Sequence, residues 1–169
     1  AGATPSAAPQ HVGQEPPRPP QRKEQAPAAG GSSGKNWEQE RSAGGACYKK
    51  RDFNGAIGCY TRALASLDEG QCLVGKEERE KCVCACLSNR SLCNIQLGNH
   101  TAVRDDCSTV LSLQSDNVKA LLRRSLAHEA LGSNDKALDD MLEVLRLDPS
   151  RTEVPAHIQR LAGIQQDNA

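Results

Sequence analysis

Apolar residues recur every three or four positions along most of this chain, in blocks separated by short polar turns. Ala56, Ile57, Tyr60, Ala63, Leu64 and Leu67 hold that spacing, which is one face of an α-helix. Asp52 or Asn54 stands ahead of them as a start signal. Upstream, residues 37–50 carry small side chains around Ala43, Gly44, Gly45 and Ala46. Small residues let two helices approach closely, although each glycine costs about 1 kcal/mol of helix stability. Together the two blocks predict a helical hairpin. Leu87, Ser91, Cys93 and Leu97, then Ala102, Val103, Cys107, Val110 and Leu111, predict a second. Leu121, Ser125 and Leu131, then Ala137, Leu138, Met141, Leu142 and Leu145, predict a third. Gly98-Asn99 and Gly132-Ser133-Asn134 fit left-handed helix stops, and Pro149 cannot continue a helix. Residues 152–166 carry Ile158, Leu161 and Ile164 among polar neighbours, with Pro155 suited to a first helical turn. This predicts a terminal helix covering the end of the stack.

The second and third hairpins are copies. Asn89-Arg90-Ser91 and Arg123-Arg124-Ser125 lie 34 residues apart (89 to 123). Cys93 and Ala127, Leu97-Gly98 and Leu131-Gly132, Asp106 and Asp140, and Leu113 and Leu147 keep the same offset. Phe53 to Tyr60 reads as the second half of an earlier unit. A fixed period means that each unit is one supersecondary element unable to bury its apolar face alone. Stacking the units gives an α-solenoid with a groove.

Composition narrows the picture. The chain has 169 residues, and residues 1–35 hold seven of its nine prolines, one valine, and no Ile, Leu, Phe, Trp, Tyr or Met. Such a stretch buries too little apolar surface to offset chain entropy and is expected to be disordered, as a tail or linker. It has no apolar stretch resembling a secretory signal. Lys and Arg number 21 and Asp and Glu 21, for a net charge of zero. That balance argues against a nucleic-acid partner. No apolar run approaches the ~20 residues that span a bilayer. A cytoplasmic monomer is expected.

The candidate chemistry is sparse. Eight cysteines include Cys82, Cys84 and Cys86, but helical residues two apart point to different faces. Neither they nor His100, His128 and His157 match a zinc-ligand pattern, so free thiols are expected, with no metal and no cofactor. Gly44-Gly45 is not a phosphate loop. With no acid–base pair or nucleophile arrangement, an enzyme is not expected. Trp37, Tyr48, Phe53 and Tyr60 are the only aromatics, so units two and three must pack with Leu, Cys, Val and Met.

A helix–turn–helix period with small residues near positions eight and twenty, Gly at fifteen and Pro at the end resembles the tetratricopeptide repeat. Ser125, Gly132, Ala137 and Pro149 fill those positions in 118–151. Ser91 and Gly98 do so in 84–117, where Val103 and Ser115 depart from the pattern. Gly44 and Ala56 do so in 37–70, where Arg51 stands at the usual glycine. The resemblance implies an all-α domain over 36–166, with three repeats and a capping helix at about 154–166.

Leu87 to Ser91 and Val118 to Ser125 are similar to the carboxylate-clamp co-chaperone type of this family. Such clamps bind Glu-Glu-Val-Asp tails of seventy- and ninety-kilodalton heat-shock chaperones, using Lys and Asn, then Asn, then Lys and Arg. The resemblance carries these roles to Arg41 and Gly45, to Asn89, and to Lys119 and Arg123. Arg41 keeps charge with different geometry. Gly45 has no donor, a loss of about tenfold in affinity unless water substitutes. Independently, Lys119 and Arg123 lie four apart and so share a helix face, suited to a terminal carboxylate and an adjacent Asp. Arg90 and Arg124 read as structural stems. Ser88, Leu122 and Leu126 are candidate groove linings. The alternative is a scaffold that holds an internal peptide or partner helix without a working clamp.

Overall fold

The structure is a computed structural model that describes residues 36–68 and 75–167, with side chains omitted for 164–167. The tail expected over 1–35, residues 69–74 and the side chain of Ile164 lie outside the described residues. The described elements are all helices: α1 (Asn36–Lys49), α2 (Phe53–Asp68), α3 (Lys76–Gln96), α4 (His100–Leu113), α5 (Val118–Ala130), α6 (Asn134–Leu147) and α7 (Val154–Asp167). Each packs on the next along the chain, which makes an all-α solenoid of antiparallel hairpins.

Local chemistry sets the boundaries. The Asp52 carboxylate accepts the Gly55 backbone N–H at 2.9 Å, satisfying one orphan donor at the start of α2. Asn117 caps α5 in the same way through the Ala120 N–H. Gly98 and Gly132 end α3 and α5 at φ +71° and +75°, a left-handed conformation that glycine adopts without a Cβ penalty. Arg51 occupies the matching turn of the first hairpin at φ 62°.

The core is a chain of small clusters. Trp37, Ala63, Leu67, Cys82 and Cys86 close together between α1, α2 and α3. Cys84 faces the other way, with Leu87, Val103, Cys107 and Val110. Alternate cysteines of α3 thus enter different clusters, because α3 is sandwiched between α2 and α4. Leu121, Met141, Val144, Val154 and Leu161 complete the stack under α7. A fully buried leucine such as Leu67 or Leu161 contributes about 2 kcal/mol.

Three leucines assigned to apolar faces are instead exposed: Leu97 at 37%, Leu131 at 40% and Leu142 at 48%. Leu97 and Leu131 sit one residue past their helices, where the chain is already turning. Leu142 lies beside the Ala137–Met141–Val144 stripe rather than on it.

Arg90 and Arg124 are more than stems. Arg90 donates to both carboxylate oxygens of Asp106, at 3.0 and 2.6 Å, and to Thr61 Oγ1 at 3.0 Å. Arg124 repeats this with Asp140, at 3.0 and 2.6 Å, and with Ser108 Oγ at 3.4 Å. Each guanidinium therefore ties its own hairpin together and reaches back to the preceding one.

Candidate peptide-binding groove

The odd-numbered helices line one side of the solenoid. Trp37 on α1 packs in one cluster with Cys82 and Cys86 of α3, and burial pushes the Cys86 thiol up to about 11 against the opposing charge of Arg41. Arg123 on α5 donates to the Ser88 carbonyl of α3 at 2.8 Å, with Ser91 Oγ at 3.5 Å. Glu129 on α5 accepts from Arg160 of α7 at 2.5 and 2.8 Å, with His157 Nε2 at 3.0 Å. Contacts that skip the even helix between them define a common face.

Two of the candidate residues, Lys119 and Arg123, belong to α5, and a third, Asn89, belongs to α3. Lys119 is exposed and Arg123 half-buried, one turn apart on α5. By crossing to Ser88, the Arg123 guanidinium arrives at the residue preceding exposed Asn89. Arg41 is exposed on α1, its Cζ 5.6 Å from the Trp37 ring centroid, a cation–π contact. Gly45 is half-buried in α1, and a Cβ placed on it would meet only Tyr60 Oη, at 4.0 Å.

Among the described residues, Arg41, Arg51 and Arg123 are the arginines without an ion pair, and Lys119 shares that state with Lys49, Lys50 and Lys136. Two of the three arginines thus stand on the groove with Lys119, so the face keeps positive charge that its own carboxylates do not neutralise.

No family model matches the chain. The Arabidopsis OM64 TPR domain aligns with TM-score 0.60 at 26% identity, covering 74% of this chain and 93% of that one. The myosin chaperone UNC-45 from C. elegans, solved in complex with a Hsp90 peptide, aligns with TM-score 0.64 at 30% identity. That match covers 79% of this chain and 14% of the other. The chain belongs to the tetratricopeptide repeat family. Rat mitochondrial import receptor subunit TOM34 is 33% identical over 131 residues, 78% of this chain and 41% of that protein. The chain spans between 12% and 41% of the length of the curated relatives it matches.

Within this tetratricopeptide repeat domain, Leu122 is half-buried and Leu126 is 47% exposed, both on α5 beside the two cations. A cleft of about 510 Å³ opens elsewhere, between the Gly98–Ala102 turn and Leu131, and contains none of the five candidate residues. Among the described residues no His, Cys, Asp or Glu cluster is arranged to hold a metal, and no helix is long and apolar enough to cross a membrane.

Sequence reasoning missed two things. The Arg90–Asp106 and Arg124–Asp140 pairs had a signal, since all four residues repeat at one offset. The Tyr60 hydroxyl beneath Gly45 had none, because a packing contact between two helices leaves no local pattern.

Proposed function

We propose that this repeat domain is a non-enzymatic adaptor whose groove receives the acidic C-terminus of a partner protein. The ligand class is a free-carboxyl Glu-Glu-Val-Asp tail of the kind borne by seventy- and ninety-kilodalton heat-shock chaperones, and the compartment this implies is the cytoplasm. One observation carries the reading. Lys119 and Arg123 stand one turn apart without acidic partners, and Arg123 reaches across to the residue preceding Asn89. Two cations and an amide in that register match a terminal carboxylate plus an aspartate side chain. Arg41 adds charge at the near end. The Hsp90 peptide bound by UNC-45 supports the same ligand class.

A pentapeptide ending in Glu-Glu-Val-Asp is expected to bind with a Kd on the order of micromolar. Its C-terminal amide is expected to bind about tenfold more weakly, because one charge-assisted hydrogen bond is worth that much. Calorimetric titration of both peptides checks this, and equal affinity removes the clamp.

A second reading rests on Leu126, which is 47% exposed on α5, and on the missing side chain at Gly45. A scaffold holding an internal peptide or helix by apolar contact would tolerate Lys119→Ala and Arg123→Ala. The clamp reading requires each of them to weaken binding about tenfold.

A further inference from the structure

We propose that the Tyr60 hydroxyl is a ligand-binding group: it emerges at the Gly45 position and donates to the peptide carboxylate in place of an asparagine amide. The inference deepens the carboxylate-binding reading and rests on it.

The geometry begins with two adjacent glycines. A Cβ on Gly44 would lie 2.7 Å from Tyr60 Cε1 and 2.8 Å from Cζ, so α1 rests directly on the ring and only glycine fits. One residue on, a Cβ at Gly45 would meet nothing nearer than Tyr60 Oη, at 4.0 Å. The ring therefore runs under Gly44 and aims its hydroxyl at the position where the resemblance calls for a donor.

That hydroxyl is unpartnered. Tyr60 is 2% exposed, and its Oη makes no hydrogen bond among the described residues. Buried tyrosine hydroxyls normally find a partner. The one fully enclosed side-chain nitrogen or oxygen left without a partner among the described residues is His128 Nδ1. The Tyr60 oxygen is thus not sealed in, and the residue's small exposure includes its tip. The ionisable groups that act on it are the thiols of Cys47, Cys59, Cys86 and Cys93, and thiols are weak acceptors. Burial pushes the phenol up to about 12, so it remains protonated and able to donate at neutral pH.

The tip also lies on the correct side. Tyr60 packs with Cys93 of α3, and Asn89 stands one turn ahead of Cys93. Residues four apart share a helix face. A carboxylate held by Asn89 and the α5 cations therefore has the phenol O–H as its neighbour from α1 and α2. Glycine at position 45 opens the way to that hydroxyl, where an asparagine side chain would cover it.

The test is a double-mutant cycle on the intact chain. Tyr60→Phe keeps the ring on Gly44 and removes one unpaired oxygen, so the melting temperature is expected to stay unchanged. Affinity for the free-acid Glu-Glu-Val-Asp pentapeptide is expected to fall about tenfold. In a Gly45→Asn background the amide takes over, and Tyr60→Phe is expected to change affinity by no more than about twofold. Unchanged affinity of Y60F, with the preference for free acid over amide retained, overturns the inference and leaves the clamp reading standing. So does a gain of about tenfold or more from G45N alone, which would mean that no donor served that position. Loss of the free-acid preference in the unaltered chain overturns both.

Discussion

Arg51 shows how one residue can carry a cost that its neighbours avoid. Gly98 and Gly132 make the turns of the second and third hairpins in the left-handed region, and the first hairpin makes its turn there with an arginine at φ 62°. A Cβ in that conformation crowds the following carbonyl, at about 1–2 kcal/mol. Arg51→Gly removes the crowding but adds freedom to the unfolded chain, at about 0.5–1 kcal/mol. Net stabilisation of about 0.5–1 kcal/mol is expected, read as a higher urea midpoint with an unchanged slope. The departure at Arg51 was visible in the sequence as an arginine in a glycine position. The contrast between Gly44 and Gly45 was not, since both are small residues in one helix. Only the Tyr60 ring across the interface makes the first obligatory and the second open.

At the scale of elements, the Arg–Asp ties separate structural charge from groove charge. Asp106 and Asp140 have side chains only 6% exposed, against 23% and 26% for Arg90 and Arg124. Removing the arginine strands a buried carboxylate, which is the costly way to break such a pair. Arg90→Ala and Arg124→Ala are each expected to cost about 3 kcal/mol. Arg146→Ala is expected to cost less than about 0.5 kcal/mol, because its partner Glu143 is a surface neighbour three residues away. Chemical denaturation of the three variants checks the order. The helices themselves were legible, because three- and four-residue spacing, Asp52, Gly98, Gly132 and Pro149 all act locally. The ties were legible only as recurrence. Arg90 and Asp106 are 16 residues apart (90 to 106) on different helices, and no helical period relates them. The same limit hid Arg123's bond to the Ser88 carbonyl, while its shared face with Lys119 followed from their spacing alone.

Across the whole molecule, acid acts at two places around α5, its packing against α4 and α6 at His128 and its contact with α7 at Glu129. Arg160 and then His157 hold the Glu129 carboxylate below its ordinary 4.5. A lowered carboxylate stabilises the fold above its unfolded value and loses that effect as pH falls through the folded one. Burial lowers His128 from 6.5 despite the opposing charge of Asp140. The folded state then binds fewer protons than the unfolded chain, so stability also declines as pH drops below 6.5. The urea midpoint is expected to fall in two stages, one beginning below about pH 6.5 and one below about pH 4.5. Glu129→Gln is expected to shrink the second stage, to which Glu143 and Asp148 also contribute through their own lowered carboxyls, and to leave the first unchanged. Neither stage involves Lys119 or Arg123, so acid loosens the packing around α5 while the cations of the groove stay charged. Those cations differ in readiness. Lys119 extends freely into water, whereas Arg123 is already moored between α3 and α5. Its torsional freedom is surrendered when the chain folds, not when a peptide docks. A guest reaching that guanidinium finds it pre-organised, and the benefit falls on residence time rather than on the rate of encounter.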